Sequence, residues 1–364
     1  MFKAFIVVVC VCVSLSLGSE PDEAGAVEDS RVRVYTDTGV VEGQVQEVTA
    51  DGVSVQIQNT DDNDTVVLPW YEVRWGEGVE GDWVVPDEFE ERMRLAVLGY
   101  ERRRRGDLTG CGEMYARIAV ELVGSRSKLA VEVFGGLLED AIVRDDYFDA
   151  AVAMMALHTV PMAAQRSGVD GFDARYRVFE AVPLIPGGEG SHRLMEVAAL
   201  LTEEDSSGGA VVRAFGIVDG DGDVEGVLEE LNHQRGVDRE FRQTLELYSQ
   251  MLSAQKHPDL DERNDARRWL RSRSESMSGT WIDAWCRLAL GVSYLNETTR
   301  SGSNEMLSRG VVQLVHVNVR LGEDYPGLAR RAQELAVDGL QRGGRYEEAS
   351  ELMSGDESRV LGTE

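Results

Sequence analysis

The chain is 364 residues long and 43% hydrophobic, and its 37 basic and 65 acidic side chains give a formal charge of -28. That hydrophobic share excludes a wholly disordered chain, and the acidic excess argues against nucleic acid as a partner, because a phosphate backbone is held by cations. The length suits two or three ordinary domains, or one small domain and a long repeat array. Lys3, Lys128 and Lys256 are the only lysines, so the remaining cations are arginines.

Lys3 precedes an apolar run from Ala4 to Leu17, and Ser16, Leu17 and Gly18 offer small residues around a cleavage point. A run of this length with a positive start reads as a secretory signal peptide, since a membrane anchor needs about 20 apolar residues. Lipid attachment needs a cysteine directly after the small residues, a place that Ser19 holds. The expectation is a signal peptide over 1–18, an acidic linker over 19–30, and a periplasmic or secreted protein without a membrane anchor after cleavage. Cys111 and Cys286 then remain, too few for a disulfide framework or a cysteine-rich metal site.

From Arg31 the period of the apolar residues is two: Val32 and Val34, then Val41, Gly43 and Val45, then Val53, Val55 and Ile57, then Val66 and Leu68. Strands are predicted, broken by turn residues at Thr36 to Gly39, at Asp51-Gly52 and over the polar run Asn59 to Asp64. Four or five short strands fit a small antiparallel β-barrel over 31–85. The stretch Val34 to Gln58, with glycines at a turn, in a long bent strand and at the next hairpin, resembles Sm-like small barrels, a likeness that in cytoplasmic members implies RNA. Trp70, Tyr71, Trp75 and Trp83 follow closely. They read as a cap that packs against the first helix, with a platform for sugar rings or peptides as the alternative.

Pro86 and the acidic residues Asp87, Glu88, Glu90 and Glu91 suit a helix start. A helical period then runs to residue 356, with a disordered tail expected over 357–364. Within it one pattern recurs: Leu98-Gly99 before Gly106-Asp107-Leu108 and Cys111; Leu137-Leu138 before Asp145-Asp146-Tyr147 and Ala150; Ala336-Val337 before Gly344-Arg345-Tyr346 and Ala349. A glycine or short polar residue closes a turn between helices, and a small residue lets them approach. These segments resemble tetratricopeptide repeats. Leu290, Gly291 and Tyr294 repeat the first-helix signature, with a longer loop expected through Ser303, whereas 160–276 shows amphipathic helices without a clean repeat. The fold class predicted is mostly α: a tetratricopeptide-like solenoid of helical hairpins preceded by a small antiparallel barrel. The resemblance implies a protein or peptide partner on the concave face.

No catalytic, cofactor-binding or metal-ligating residue is assigned, and no cofactor is expected. His158, His192, His233, His257 and His316 lack the paired spacing of a helical zinc site, and no nucleophile elbow or phosphate loop is present. Asp219, Asp221 and Asp223, followed by Glu230, carry the oxygen spacing of a calcium loop, but Val224 stands where the turn glycine belongs. Asp223 capping a helix from Val224 to Leu231 explains the same residues. The basic run Arg102 to Arg105 reads as a helix C-terminus paired with carboxylates. The predicted function is therefore an exported, non-enzymatic interaction scaffold; the alternatives are a calcium-responsive structural protein acting through the Asp219–Asp223 loop, and an enzyme with an unrecognised pocket in the helical region.

Overall fold

A computed structural model describes residues 31–36, 39–48, 52–57, 65–78, 87–125, 127–159, 182–186, 192–203, 207–233 and 239–361. The expected signal peptide and linker, and Trp83, lie outside them.

Five strands, β1 (Arg31–Thr36), β2 (Gly39–Val48), β3 (Gly52–Gln56), β4 (Thr65–Pro69) and β5 (Val73–Gly78), form one antiparallel sheet in the order β4-β3-β2-β1-β5. The alternating residues set the register: Val34 pairs with Val41, Val45 with Val55 and Val53 with Leu68. Val32, Val34, Val53, Val55, Leu68 and Val73 are buried as a result. Gly43 stands where β2 passes so close to β3 that a Cβ would lie 2.1 Å from the Gln56 carbonyl oxygen.

The sheet is open, which corrects the expected closed barrel. Closure requires the outer strands β4 and β5 to pair, and no register joins them. They are linked by a tight turn in which the Glu72 N–H donates to the Pro69 carbonyl at 2.9 Å, and β5 then runs along β1 instead. The turn residues Trp70 and Tyr71 face α1 (Asp87–Arg104), with ring centroids 6.0 Å from Phe89 and 5.1 Å from Tyr100.

Beyond the sheet the described chain is helical apart from the segment 182–186 and the turns between helices. α2 (Leu108–Ala119), α3 (Lys128–Val143) and α4 (Tyr147–Thr159) complete two hairpins with α1; α5 (Met195–Glu203), α6 (Ser207–Asp219), α7 (Val224–Asn232) and α8 (Arg239–Lys256) follow. Then come α9 (Leu260–Ser276), α10 (Trp281–Ser301), α11 (Asn304–Leu321), α12 (Pro326–Arg342) and α13 (Tyr346–Leu361). Helices pack mainly on their neighbours in sequence, with α4 on α6 and α8 on α10 as added pairs.

The three recurrent turns share one geometry. Gly106, Asp145 and Gly344 have φ of 79°, 55° and 74°. The N–H of each donates three residues back, to Arg103, Ile142 and Gln341, and the next N–H donates five back, to Arg102, Ala141 and Leu340. This pair of bonds closes a helix through one left-handed residue, a conformation that glycine adopts freely and aspartate tolerates. The small residues placed after the turns, Cys111, Ala150 and Ala349, are all buried.

Two boundaries differ from expectation. No long loop follows Tyr294: α10 continues to Ser301 and ends on Gly302, φ 68°, before Ser303 caps α11 through the Met306 N–H. The helix persists because the polar stretch from Asn296 to Arg300 contains neither proline nor glycine. Similarly, α13 runs to Leu361 rather than giving way to a tail at 357. Gly355 alone, worth about 1 kcal/mol, does not stop a helix that gains one hydrogen bond per added residue.

One hydrophobic cluster runs from the sheet through α12. Its centre is aromatic: Tyr248 of α8 lies edge-on to Phe215 of α6 at 5.6 Å and stacks on Trp285 of α10 at 5.4 Å. The helices do not run out as a simple open stack. Arg330 of α12 donates twice to the Asp145 carboxylate at the α3–α4 turn, at 2.8 and 2.7 Å.

Candidate functional site

Three places gather polar chemistry, the first and third of them largely buried and the second exposed. The first is a charged clasp at the α3–α4 turn. Asp140, Asp146 and Asp149 are buried, and the turn geometry directs all three toward Arg144. The Arg144 guanidinium donates to Asp140 at 3.1 Å, Asp146 at 3.0 Å and Asp149 at 3.0 Å. The segment 192–194 closes over them: Arg193 reaches Asp140 at 3.0 Å, and the N–H groups of Arg193 and Leu194 donate to Asp149 at 2.8 and 3.0 Å. His192 Nδ1 lies 3.1 Å from Asp146. Burial pushes the Asp140 carboxyl up against the pull of Arg144 and Arg193, and burial followed by repulsion from Asp146 pushes up that of Asp149.

Asp146, Asp149 and His192 bring one ligand atom each within 4.8 Å of one another, the only such trio among the described residues. Their oxygens, however, are already committed to N–H donors, and the Arg144 guanidinium holds the place between the carboxylates that a divalent cation needs. The arrangement fastens 192–194 to the hairpin and starts α5; it offers neither an open coordination position nor a nucleophile.

The second place is the Asp219–Asp223 loop. Asp223 caps α7, accepting the Gly226 N–H at 3.0 Å, and the Lys256 ammonium donates to the Gly220 carbonyl at 2.9 Å. Burial lowers the Lys256 pKa. A cationic side chain thus organises this loop, whose aspartates are not among the converging groups.

The third place is the interior segment Val182 to Pro186, which is neither helix nor strand. Val182, Leu184 and Ile185 are 0 to 1% exposed, yet their backbone polar groups are served by side chains of distant helices. The Tyr248 hydroxyl donates to the Val182 carbonyl at 3.0 Å, Gln255 Nε2 to that of Leu184 at 2.8 Å, and Arg331 of α12 to that of Pro186 at 2.9 Å.

The basic run is structural. Arg103 donates to Glu139 and Glu132 of α3 at 2.6 to 2.7 Å, Arg102 pairs with Asp107, and Arg105 pairs with Glu101. Trp70 and Tyr71 pack on α1 as the cap reading expects, while of Trp75 only the backbone in β5 is described. His233 and His257 make local contacts at helix ends, and the His158 side chain lies outside the described residues. No family model, no curated protein and no solved structure matches the chain.

Sequence reasoning passed over both the clasp and the interior segment. Asp140 and Asp149 stand on apolar helix faces, where a carboxylate needs a partner, and Arg144 lies four residues after Asp140. The interior segment is announced by its pattern, Val-Pro-Leu-Ile-Pro, an apolar run that two prolines bar from continuing a helix.

Proposed function

We infer that this chain is an exported, non-enzymatic interaction scaffold whose tetratricopeptide-like helical hairpins present a surface to a protein or peptide partner. The observation that carries the reading is the recurrence of one turn, with the same left-handed residue, the same two backbone bonds and the same buried small residue, at 106, 145 and 344. A repeated helix–turn–helix unit stacks on its neighbours and leaves an extended face for a partner. The wholly or partly buried arginines add support from the other side. Arg144, Arg193, Arg103 and Arg267 are spent on fixed carboxylates, hydroxyls and carbonyls that tie helices together, so none is poised on an open cleft.

Two measurements test this. Residues 1–30 fused to a reporter that is active only after export should deliver it; retention of the reporter in the cytoplasm removes the exported part. The purified chain, used as bait at physiological salt in an extracytoplasmic extract, should retain a saturable partner that an acidic helical protein of matched charge does not. Equal retention by both removes the scaffold part.

A further inference from the structure

We propose that residues 182–186 are an internal occupant of a peptide channel between α8 and α12, and that the channel's exchangeable ligand is a proline-flanked apolar segment of another polypeptide. The proposal rests on the scaffold reading and names its ligand.

Irregular backbone is normally found at the surface, where water satisfies its polar groups. Here four consecutive buried residues, Val182 to Ile185, and the half-buried Pro186 lie among the helices, and their backbone is handled as that of a bound peptide would be. Side chains take the carbonyls at alternate positions, 182, 184 and 186, and the Pro183 carbonyl accepts the Ile185 N–H at 2.9 Å in a tight turn. Pro183 and Pro186 have no N–H to satisfy. The donors Tyr248, Gln255 and Arg331 read carbonyls, which every peptide carries, while the selection falls on apolar shape at 182, 184 and 185. They come from helices 66 to 145 residues away in sequence, so the contacts are tertiary, not products of local turn formation.

One atom indicates exchange instead of a permanent core. Gln255 is fully buried, and its Nε2 donates to Leu184, but its Oε1 has no hydrogen-bond partner among the described residues. A carboxamide in such a place is equipped to grip a peptide bond twice, through one carbonyl and one N–H, and the chain's own segment supplies only the carbonyl. A partner segment that offers an N–H to Oε1 completes the grip and outcompetes the resident.

The test uses the full chain and an acetylated, amidated peptide copying residues 182–186. In native-state hydrogen exchange the Ile185 amide should open while amides of α8 around Tyr248 stay protected, and excess peptide should speed Ile185 exchange at least tenfold. A full-chain Leu184→Ser/Ile185→Ser variant, shown to be folded by its melting transition, should bind a fluorescent form of the peptide at least tenfold more tightly than the wild type does. Adding Gln255→Leu should abolish that gain. Exchange of Ile185 only with α8, in a global opening that peptide does not alter, overturns the proposal even where the variant fails to fold. A partner retained by the intact chain with no peptide effect leaves the scaffold standing and removes the channel. A peptide effect with no retained partner does the reverse.

Discussion

Asp149→Ala tests the charged clasp. The Asp149 side chain is 0% exposed and accepts the Arg144 guanidinium and two backbone N–H groups, those of Arg193 and Leu194. Removing it leaves a part-buried guanidinium with one carboxylate fewer and the Arg193 and Leu194 N–H groups without their acceptor. Breaking a buried pair on one side costs about 3–5 kcal/mol. The lower end applies here, because Arg144 keeps Asp140 and Asp146 and because burial already opposes ionisation of Asp149. With an unfolding entropy of roughly 2 cal/mol/K per residue, about 3 kcal/mol in a chain of this size lowers the melting temperature by about 4–5 °C. The raised pKa fixes the sign of the pH effect. The folded state binds the Asp149 proton more tightly than the unfolded chain, so this group contributes more to wild-type stability as pH falls through its folded value. The gap between wild type and variant should therefore widen on acidification. Urea unfolding at several pH values, with m unchanged, measures it. A loss below about 1 kcal/mol at neutral pH, or a gap that narrows toward acid, would refute the reasoning.

Glu297 behaves oppositely. Burial opposes its ionisation, but hydrogen bonds from Arg267 and Arg263 outweigh that and hold its carboxyl below the usual range, so its contribution is lost as pH falls through that depressed value. Glu297→Gln should cost about 3 kcal/mol at neutral pH, with the gap closing toward acid in the same unfolding series. Burial pushes the Cys111 and Cys286 thiols up to about 12, and both are free. Iodoacetamide at pH 8 should leave both unmodified in the native chain and label both in denaturant, as peptide mass mapping will record. Asp223→Ala should remove the α7 cap at a cost of about 1 kcal/mol. Calcium added to the wild type should leave the melting temperature unchanged; a rise of several degrees reversed by chelator would restore the calcium reading.

The sequence disclosed the parts of this fold that rest on local rules. The alternation of Val32, Val34, Val53, Val55 and Leu68 marks strands because a pleat has period two, and Gly106 and Gly344 mark turns because few other residues enter the left-handed region cheaply. Asp223 is legible as a cap for the same reason. What escaped depends on tertiary partners. That β5 returns along β1, and that Trp70 and Tyr71 meet Phe89 and Tyr100, are tertiary pairings that the alternation of the strands does not announce. Arg144 is one arginine among many until Asp140, Asp146 and Asp149 are brought around it. The carbonyls of 182–186 acquire donors only when α8 and α12 arrive.

The ion pair from Arg330 to Asp145 spans 185 positions. A linear array of helical hairpins frays from its ends, since each unit is held only by the next. Arg330 on Asp145 and Arg331 on Pro186 join α12 to positions 185 and 145 residues earlier, contacts that a purely linear array lacks. Contacts of such long sequence separation cost more loop-closure entropy than those within a hairpin, which as a rule slows folding. A chain truncated before α12 would lack more than its last helices; its middle would lose the donor that reaches Pro186.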